Sequence, residues 1–147
     1  MATFLSLILH AQSASDVEVS TKGPVGVKRG ALVQVPVDLH VKSGLHINSH
    51  QPEDKYLIAL RVTWDNTLAE ALATEFPKPI QRTFEFSGEK SLSVFEGKLQ
   101  LKQNFQVKPN ATRGFGSITG KVTYQACSES ECYPPASAPV RITVDIR

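Results

Sequence analysis

Only two cysteines occur in the 147 residues, at positions 127 and 132. That excludes a small disulfide scaffold and a zinc ribbon built on four cysteines. Methionine occurs once, at position 1, so there is nothing to line a methionine-rich copper carrier. Charge of one sign is not in excess: 16 Lys and Arg stand against 14 Asp and Glu, a formal net charge of +2. So even a balance does not suit nucleic acid or an anionic membrane surface as the main partner. No apolar run approaches the roughly 18 residues that mark a transmembrane helix. Helical periodicity is scarce too, and only 68–76 could form a short helix.

The size is that of one domain, with a core that requires no metal or disulfide lattice. With 9 Gly and 9 Pro, the composition favours a turn-rich β protein over a helical bundle. Val33, Val35, Val37, Leu39 and Val41 alternate with Gln34, Pro36, Asp38 and His40, the period of two that marks a half-buried strand. Pro36 lacks an N–H, which predicts an edge or a bulge there. Ile58, Leu60, Val62 and Trp64 repeat the pattern. Leu99 with Leu101, and then Phe105 with Val107, give shorter versions. Ile118, Val122 and Tyr124 share a parity with Gly120 between them, and Val140, Ile142, Val144 and Ile146 close the chain. Gly23-Pro24, Lys108-Pro109-Asn110 and Gly114-Phe115-Gly116 punctuate these runs as turns. There is no internal repeat. Residues 15–147 therefore read as a single all-β domain, an immunoglobulin-like antiparallel β-sandwich. The Cys–Trp–Cys spacing of true immunoglobulin domains is absent.

Residues 1–14 read as an export signal, whole or truncated at its start, with a first β-strand or a disordered tail as the other reading: Phe4 to Leu9 is apolar, and Ala11-Gln12-Ser13 fits a small-x-small cleavage pattern. Export places the cysteines in an oxidising compartment. Cys127 and Cys132 enclose Ser128-Glu129-Ser130-Glu131 at the mouth of a hairpin-like connection, within disulfide reach. Closing so short a loop removes little chain entropy, on the order of 2 kcal/mol. The pair admits two readings: a plain stabilising disulfide, or a dithiol kept for thiol–disulfide exchange, in which one thiolate attacks and the other resolves. Glu129 and Glu131 disfavour a nearby thiolate. A metal reading adds His46 and His50, spaced H-x3-H, to the two cysteines. Both histidines lie in a stretch that reads as loop, however, so solvated side chains are the expectation.

Tyr124-Gln125-Ala126-Cys127, a short acidic loop, and Cys132-Tyr133-Pro134-Pro135 resemble the active-site segment of one family. It is the N-terminal periplasmic domain of the thiol:disulfide interchange protein DsbD. Gly44-Leu45-His46-Ile47-Asn48 before Gln51-Pro52, Phe76-Pro77-Lys78, Val94-Phe95-Glu96-Gly97 and Gly120-Lys121-Val122-Thr123 are similar to that family's pattern as well. The resemblance runs from Val17 to Ile146. It implies an immunoglobulin-like fold with the cysteines on neighbouring strands. It also implies a cap loop whose aromatic residue shields the disulfide and swings away when a partner docks. Phe86, in Glu85-Phe86-Ser87-Gly88, matches that aromatic; a core position is the other reading of this Phe.

The resemblance makes Cys132 the attacking and Cys127 the resolving cysteine, with Tyr124 and Tyr133 lining the site and no cofactor. It implies a thioredoxin-like electron donor. The implied acceptors are oxidised periplasmic thiol proteins, such as a disulfide isomerase or a cytochrome c maturation protein. Two departures are a shorter loop between the cysteines, and Phe84 where an acidic residue often precedes the cap. The membrane and thioredoxin-like domains of the full-length family protein have no counterpart here. The chain accordingly reads as a stand-alone relative or a piece of a longer product. The competing class is a binding or structural sandwich with an inert disulfide.

Overall fold

A computed structural model describes residues 15–147. The expected export segment 1–14 lies outside the described residues. The strands, in chain order, are β1 (Val17–Ser20), β2 (Val25–Val27), β3 (Leu32–Val41), β4 (His46–Asn48), β5 (Arg61–Trp64), β6 (Ala69–Glu75), β7 (Ile80–Arg82), β8 (Leu92–Phe95), β9 (Lys98–Val107), β10 (Gly114–Tyr124), β11 (Ala126–Cys127) and β12 (Ala136–Ile146). One 3-10 turn, Glu85–Ser87, follows β7. Among the described residues no helix is long and apolar enough to cross a membrane.

Two four-stranded sheets, β1-β3-β9-β6 and β2-β12-β10-β5, form an immunoglobulin-like sandwich. Every pairing is antiparallel except β2 with β12. The period-two residues read from the sequence are those that point inward. Val37, Leu39, Val41 and Leu101 from the first sheet meet Val122, Tyr124 and Val140 from the second at one end of the core. Val35, Phe105 and Val107 meet Ile118, Ile142 and Val144 at the other. Trp64 sets its edge on Phe105, with ring centroids 5.1 Å apart, and packs against both clusters. Gly120 makes the approach of β5 possible. A Cβ there would lie 2.3 Å from Thr63 O and 2.8 Å from the Trp64 ring.

Pro36 sits where the sequence analysis expects an edge. β1 stops pairing at Asp38, so beside Pro36 only β9 is hydrogen-bonded. Three expectations change. The short helix over 68–76 is instead strand β6, whose Ala, Leu and Glu favour a helix only until β9 offers a ladder. A register shift between Ala71 and Thr74 breaks its two-residue period. The bulge is filled by Gln103 of β9. Its Nε2 donates to the Leu72 and Asn104 carbonyls, both at 3.0 Å, and its Oε1 accepts from Thr74 Oγ1. This buried Gln stands on the inward parity, which is why one ten-residue strand, β9, reads in sequence as two short ones. Lastly, the Ile58–Trp64 alternation yields strand only from Arg61 onward. Residues 58–60 turn aside, because their backbone is held by Gln125 and Ser49 instead of a neighbouring strand.

A third small sheet, β11-β4-β8-β7, closes one end of the sandwich. It sends Ile47, Phe95 and Ala126 into the cluster around Leu39 and Tyr124. Its outer layer, Phe84, Leu92 and Val94 with Leu57, is a separate small core.

Candidate functional site

The third sheet holds Cys127, and Cys132 bridges onto its edge. β10 follows β12 as far as Tyr124, Gln125 breaks the strand, and Ala126 and Cys127 then pair with Ile47 and His46 on β4. Ser128 turns the chain back. Its N–H donates to Glu131 O at 2.8 Å, and its Oγ accepts from the N–H groups of Ser130 (3.3 Å) and Glu131 (3.2 Å). A hydroxyl that satisfies its own turn in this way stabilises a tight loop. Cys132 returns beside Cys127 as an isolated antiparallel bridge, and a disulfide joins them with their Cα atoms 4.0 Å apart. The two ends of the bond differ. Cys127 is 0% exposed, whereas Cys132, Tyr133, Pro134 and Pro135 are all exposed.

Gln125 and Asn48 hold this arrangement from beneath. Gln125 Oε1 accepts from Asn48 Nδ2 (3.1 Å) and from the Ile58 N–H (3.2 Å), and its Nε2 donates to Tyr133 O (3.3 Å). Asn48 Nδ2 also donates to Ile58 O at 3.1 Å. The Tyr133 N–H donates to Ala126 O at 2.9 Å. Tyr133 is thus tied through both its N–H and its carbonyl to the segment that carries Cys127.

His46 is the Cα partner of Cys127, so the two side chains leave the same face of the sheet. The ring is 1% exposed and stacks on Phe84, with centroids 3.8 Å apart and planes inclined by 14°. Phe86 lies further out, 5.5 Å from Phe84 and 6.1 Å from His46, close to parallel with both. Gly88, at φ +61°, ends the turn that carries Phe86, a conformation that favours glycine. Arg82 on β7 ties three segments together. It pairs with Glu96 just after β8, pairs with Glu129 of the inter-cysteine loop at 2.9 Å, and stands 4.8 Å from the Phe84 ring. Between these groups opens a cleft of about 470 Å³ lined by His40, Lys42, His46, Arg82, Glu96 and Glu129. Burial holds the His46 pKa below its ordinary value of 6.5; Glu96 opposes the shift, Arg82 adds to it, and Glu129 opposes it.

The fold brings Cys127, Cys132 and Tyr133 together. Phe86 is 37% exposed on its turn, so it is not a core residue. Phe84, at 4% exposure, is the ring that lies directly on His46. Tyr124 is 3% exposed and belongs to the main core, where it supports the end of β10. The expectation of solvated loop histidines is corrected. His46 is a buried strand residue, and His50 stacks on Phe76 with centroids 4.1 Å apart. Each imidazole has its own aromatic partner and the two sulfurs are bonded to each other, so the four residues do not form one ligand set. The sequence analysis named Phe84 only as a departure before the cap and Glu96 only within a matching segment, passed over Arg82, and placed His46 wrongly. The available signal was His46 between Leu45 and Ile47, apolar neighbours that suit a buried strand better than a loop.

Fold and site together define a class: an immunoglobulin-like domain with a disulfide at its end, one cysteine buried and the other exposed. The chain belongs to the family described as thiol:disulfide interchange protein DsbD, N-terminal, whose model matches residues 16–143. This makes it, in general terms, a thiol:disulfide interchange module. Comparison with curated protein sequences yields no match at the significance required. Among solved structures, the chain is similar to the reduced DsbD N-terminal domain of Neisseria meningitidis. The TM-score is 0.50 at 19% identity, over 76% of this chain and 77% of that one. It is also similar to the N-terminal periplasmic domain of ScsB from Proteus mirabilis, with TM-score 0.57 and 11% identity, over 92% of this chain. The match spans 49% of the ScsB chain. At these identities the structural likeness speaks to the fold.

Proposed function

We propose that the domain works in the periplasm as an electron-transfer module. Cys127 and Cys132 receive two electrons from a thioredoxin-like donor and pass them to an oxidised thiol protein, such as a disulfide isomerase or a cytochrome c maturation protein. In the loading half, a donor thiolate attacks Cys132 Sγ and Cys127 leaves as a thiolate that takes up a proton. The donor's second thiol then displaces Cys132, so the donor departs as a disulfide and the domain holds two thiols. In the delivery half, the Cys132 thiolate attacks the acceptor disulfide and expels one acceptor thiolate. Cys127 then attacks Cys132, the intramolecular disulfide re-forms, and the acceptor leaves with both electrons as a dithiol.

The observation that carries this reading is the asymmetry of the bond. A partner sulfur must approach in line with the bond it breaks, and the exposed Cys132 offers that approach while Cys127 is 0% exposed. Pro134 and Pro135 donate no N–H and are not part of a strand, so the flank stays open to a docking chain. Arg82 pairs with Glu129, and its charge offsets part of the acidic loop's penalty on a thiolate. In this reading Phe86 is the cap aromatic, riding on the Glu85–Ser87 turn, and Tyr133 borders the site.

The test is trapping. Reduced Cys127→Ala and Cys132→Ala variants are each mixed with an oxidised thioredoxin-like protein. With the partner's second cysteine blocked by alkylation as it is released, a durable covalent complex is expected only with Cys127→Ala, because Cys132 attacks and the domain has no second thiol to resolve it. A complex only with Cys132→Ala would reverse the roles. None with either would return the pair to an inert structural disulfide.

A further inference from the structure

We infer that His46 takes the proton that Cys127 must lose when it resolves a mixed disulfide on Cys132; this rests on the exchange reading above. Cys127 is the one reacting group that solvent cannot serve, because it is 0% exposed. Burial in apolar surroundings favours the neutral thiol, and only the thiolate attacks a disulfide. A resolving cysteine so placed needs a local base.

The sheet register supplies one. His46, Cys127 and Cys132 stand in a row, His46 as the Cα partner of Cys127 and Cys127 as the bridge partner of Cys132. Side chains of directly opposed residues share a face, with Cβ atoms about 4.5–5.5 Å apart. The imidazole is fixed in place by its stack on Phe84. Its Nε2 is buried and has no hydrogen-bond partner in the protein. His50 Nδ1 and Trp64 Nε1 are unpartnered as well, and what sets His46 apart is its place directly opposite Cys127. The charged and titratable groups around it are Glu96 after β8, Arg82 on β7, Glu129 in the inter-cysteine loop, and His40 and Lys42 across the cleft. Burial lowers the His46 pKa, which keeps the ring neutral and able to accept at neutral pH.

The step balances. The Cys127 S–H proton passes to the imidazole, and the Cys127 thiolate attacks Cys132 Sγ. The Cys127–Cys132 bond forms as the bond from Cys132 to the partner breaks. The electron pair leaves on the partner sulfur, and the imidazolium returns its proton to water through the cleft.

The probe is a nitrobenzoate disulfide, whose released thiolate is coloured, added to the reduced domain. Attack by Cys132 releases one equivalent, and resolution by Cys127 releases the second. In wild type the second phase should be nearly independent of pH between about 6.5 and 8; without a base it would rise about tenfold per pH unit toward the ordinary thiol pKa of about 8.5. His46→Phe keeps an aromatic ring for the stack but offers no nitrogen. It should slow the second phase on the order of 10²-fold near neutral pH and leave the first unchanged, with the deficit narrowing as pH rises. His46→Gln should do the same, and His50→Gln should change neither phase. A wild-type second phase that climbs tenfold per pH unit, or a His46→Phe variant that resolves at the wild-type rate, would overturn the assignment and leave the exchange reading standing. Absence of the first phase in wild type would overturn both.

Discussion

The β3–β9 ladder runs unbroken from Leu32 to His40, whereas β11 and β4 pair only through Ala126 and Cys127. The first belongs to a body held by long ladders around apolar clusters; the second belongs to the sheet that carries the disulfide. Among the described residues the buried polar side chains are His46, Asn48, Ser49, Ser93 and Gln103, and of these Gln103 alone lies in the body. The small sheet replaces ladder bonds with side chains. Asn48 and Gln125 hold residue 58, Ser49 Oγ meets Ser93 Oγ at 2.8 Å, and Glu53 accepts from the Ser93 N–H at 3.0 Å. A region with short ladders and little apolar area opens more easily than a core strand. The difference suits the two tasks: the body persists, and the disulfide end can yield locally to a partner without unfolding the rest.

That contrast can be broken by mutation. The largest effect is expected in the body. Phe105 is 0% exposed at the centre of its cluster, and Phe105→Ala should cost about 3–5 kcal/mol in denaturant unfolding. The rate at which a small thiol reduces the disulfide in the folded fraction should stay unchanged. A matching change in that rate would show that body and site are one cooperative unit.

An intermediate effect is expected at Asn48. Asn48→Ala removes the side-chain donor to the Ile58 carbonyl and one of the two donors to Gln125 Oε1, at a cost of about 1–3 kcal/mol. It should also raise amide exchange in 125–133 while β9 and β12 keep their protection. Uniform deprotection would contradict a separable site.

The smallest effect on stability belongs to Phe86. At 37% exposure its truncation should cost about 1 kcal/mol or less. Reduction of the disulfide by a small thiol should nevertheless speed up. A loss of 3–5 kcal/mol, as for a buried Phe, with no change in reactivity would remove Phe86 from the cap role.

The sandwich was legible in the sequence because its strands are long enough for period two to show, as in Val33–Val41 and Val140–Ile146. β6 was not, because its bulge depends on Gln103 from a strand about thirty positions away, as the Gln103–Leu72 separation of 31 shows. The cysteine pair was legible because its loop and flanks are contiguous. The rest of the site was not. His46 and Arg82 come from strands of three residues and Glu96 follows one of four, all too short for periodicity to fix their register. Phe84 precedes and Phe86 sits within a single turn, and nothing local says which of them lies against a histidine from β4.

The central claim is that the Cys127–Cys132 bond is a working redox couple and not a staple. Its reduction potential, measured by equilibration with a thiol–disulfide buffer and alkylation of the thiols formed, tests this most directly. The account predicts a potential above about −300 mV, within reach of a thioredoxin-like donor. A potential well below that value, typical of resistant structural disulfides, would contradict it.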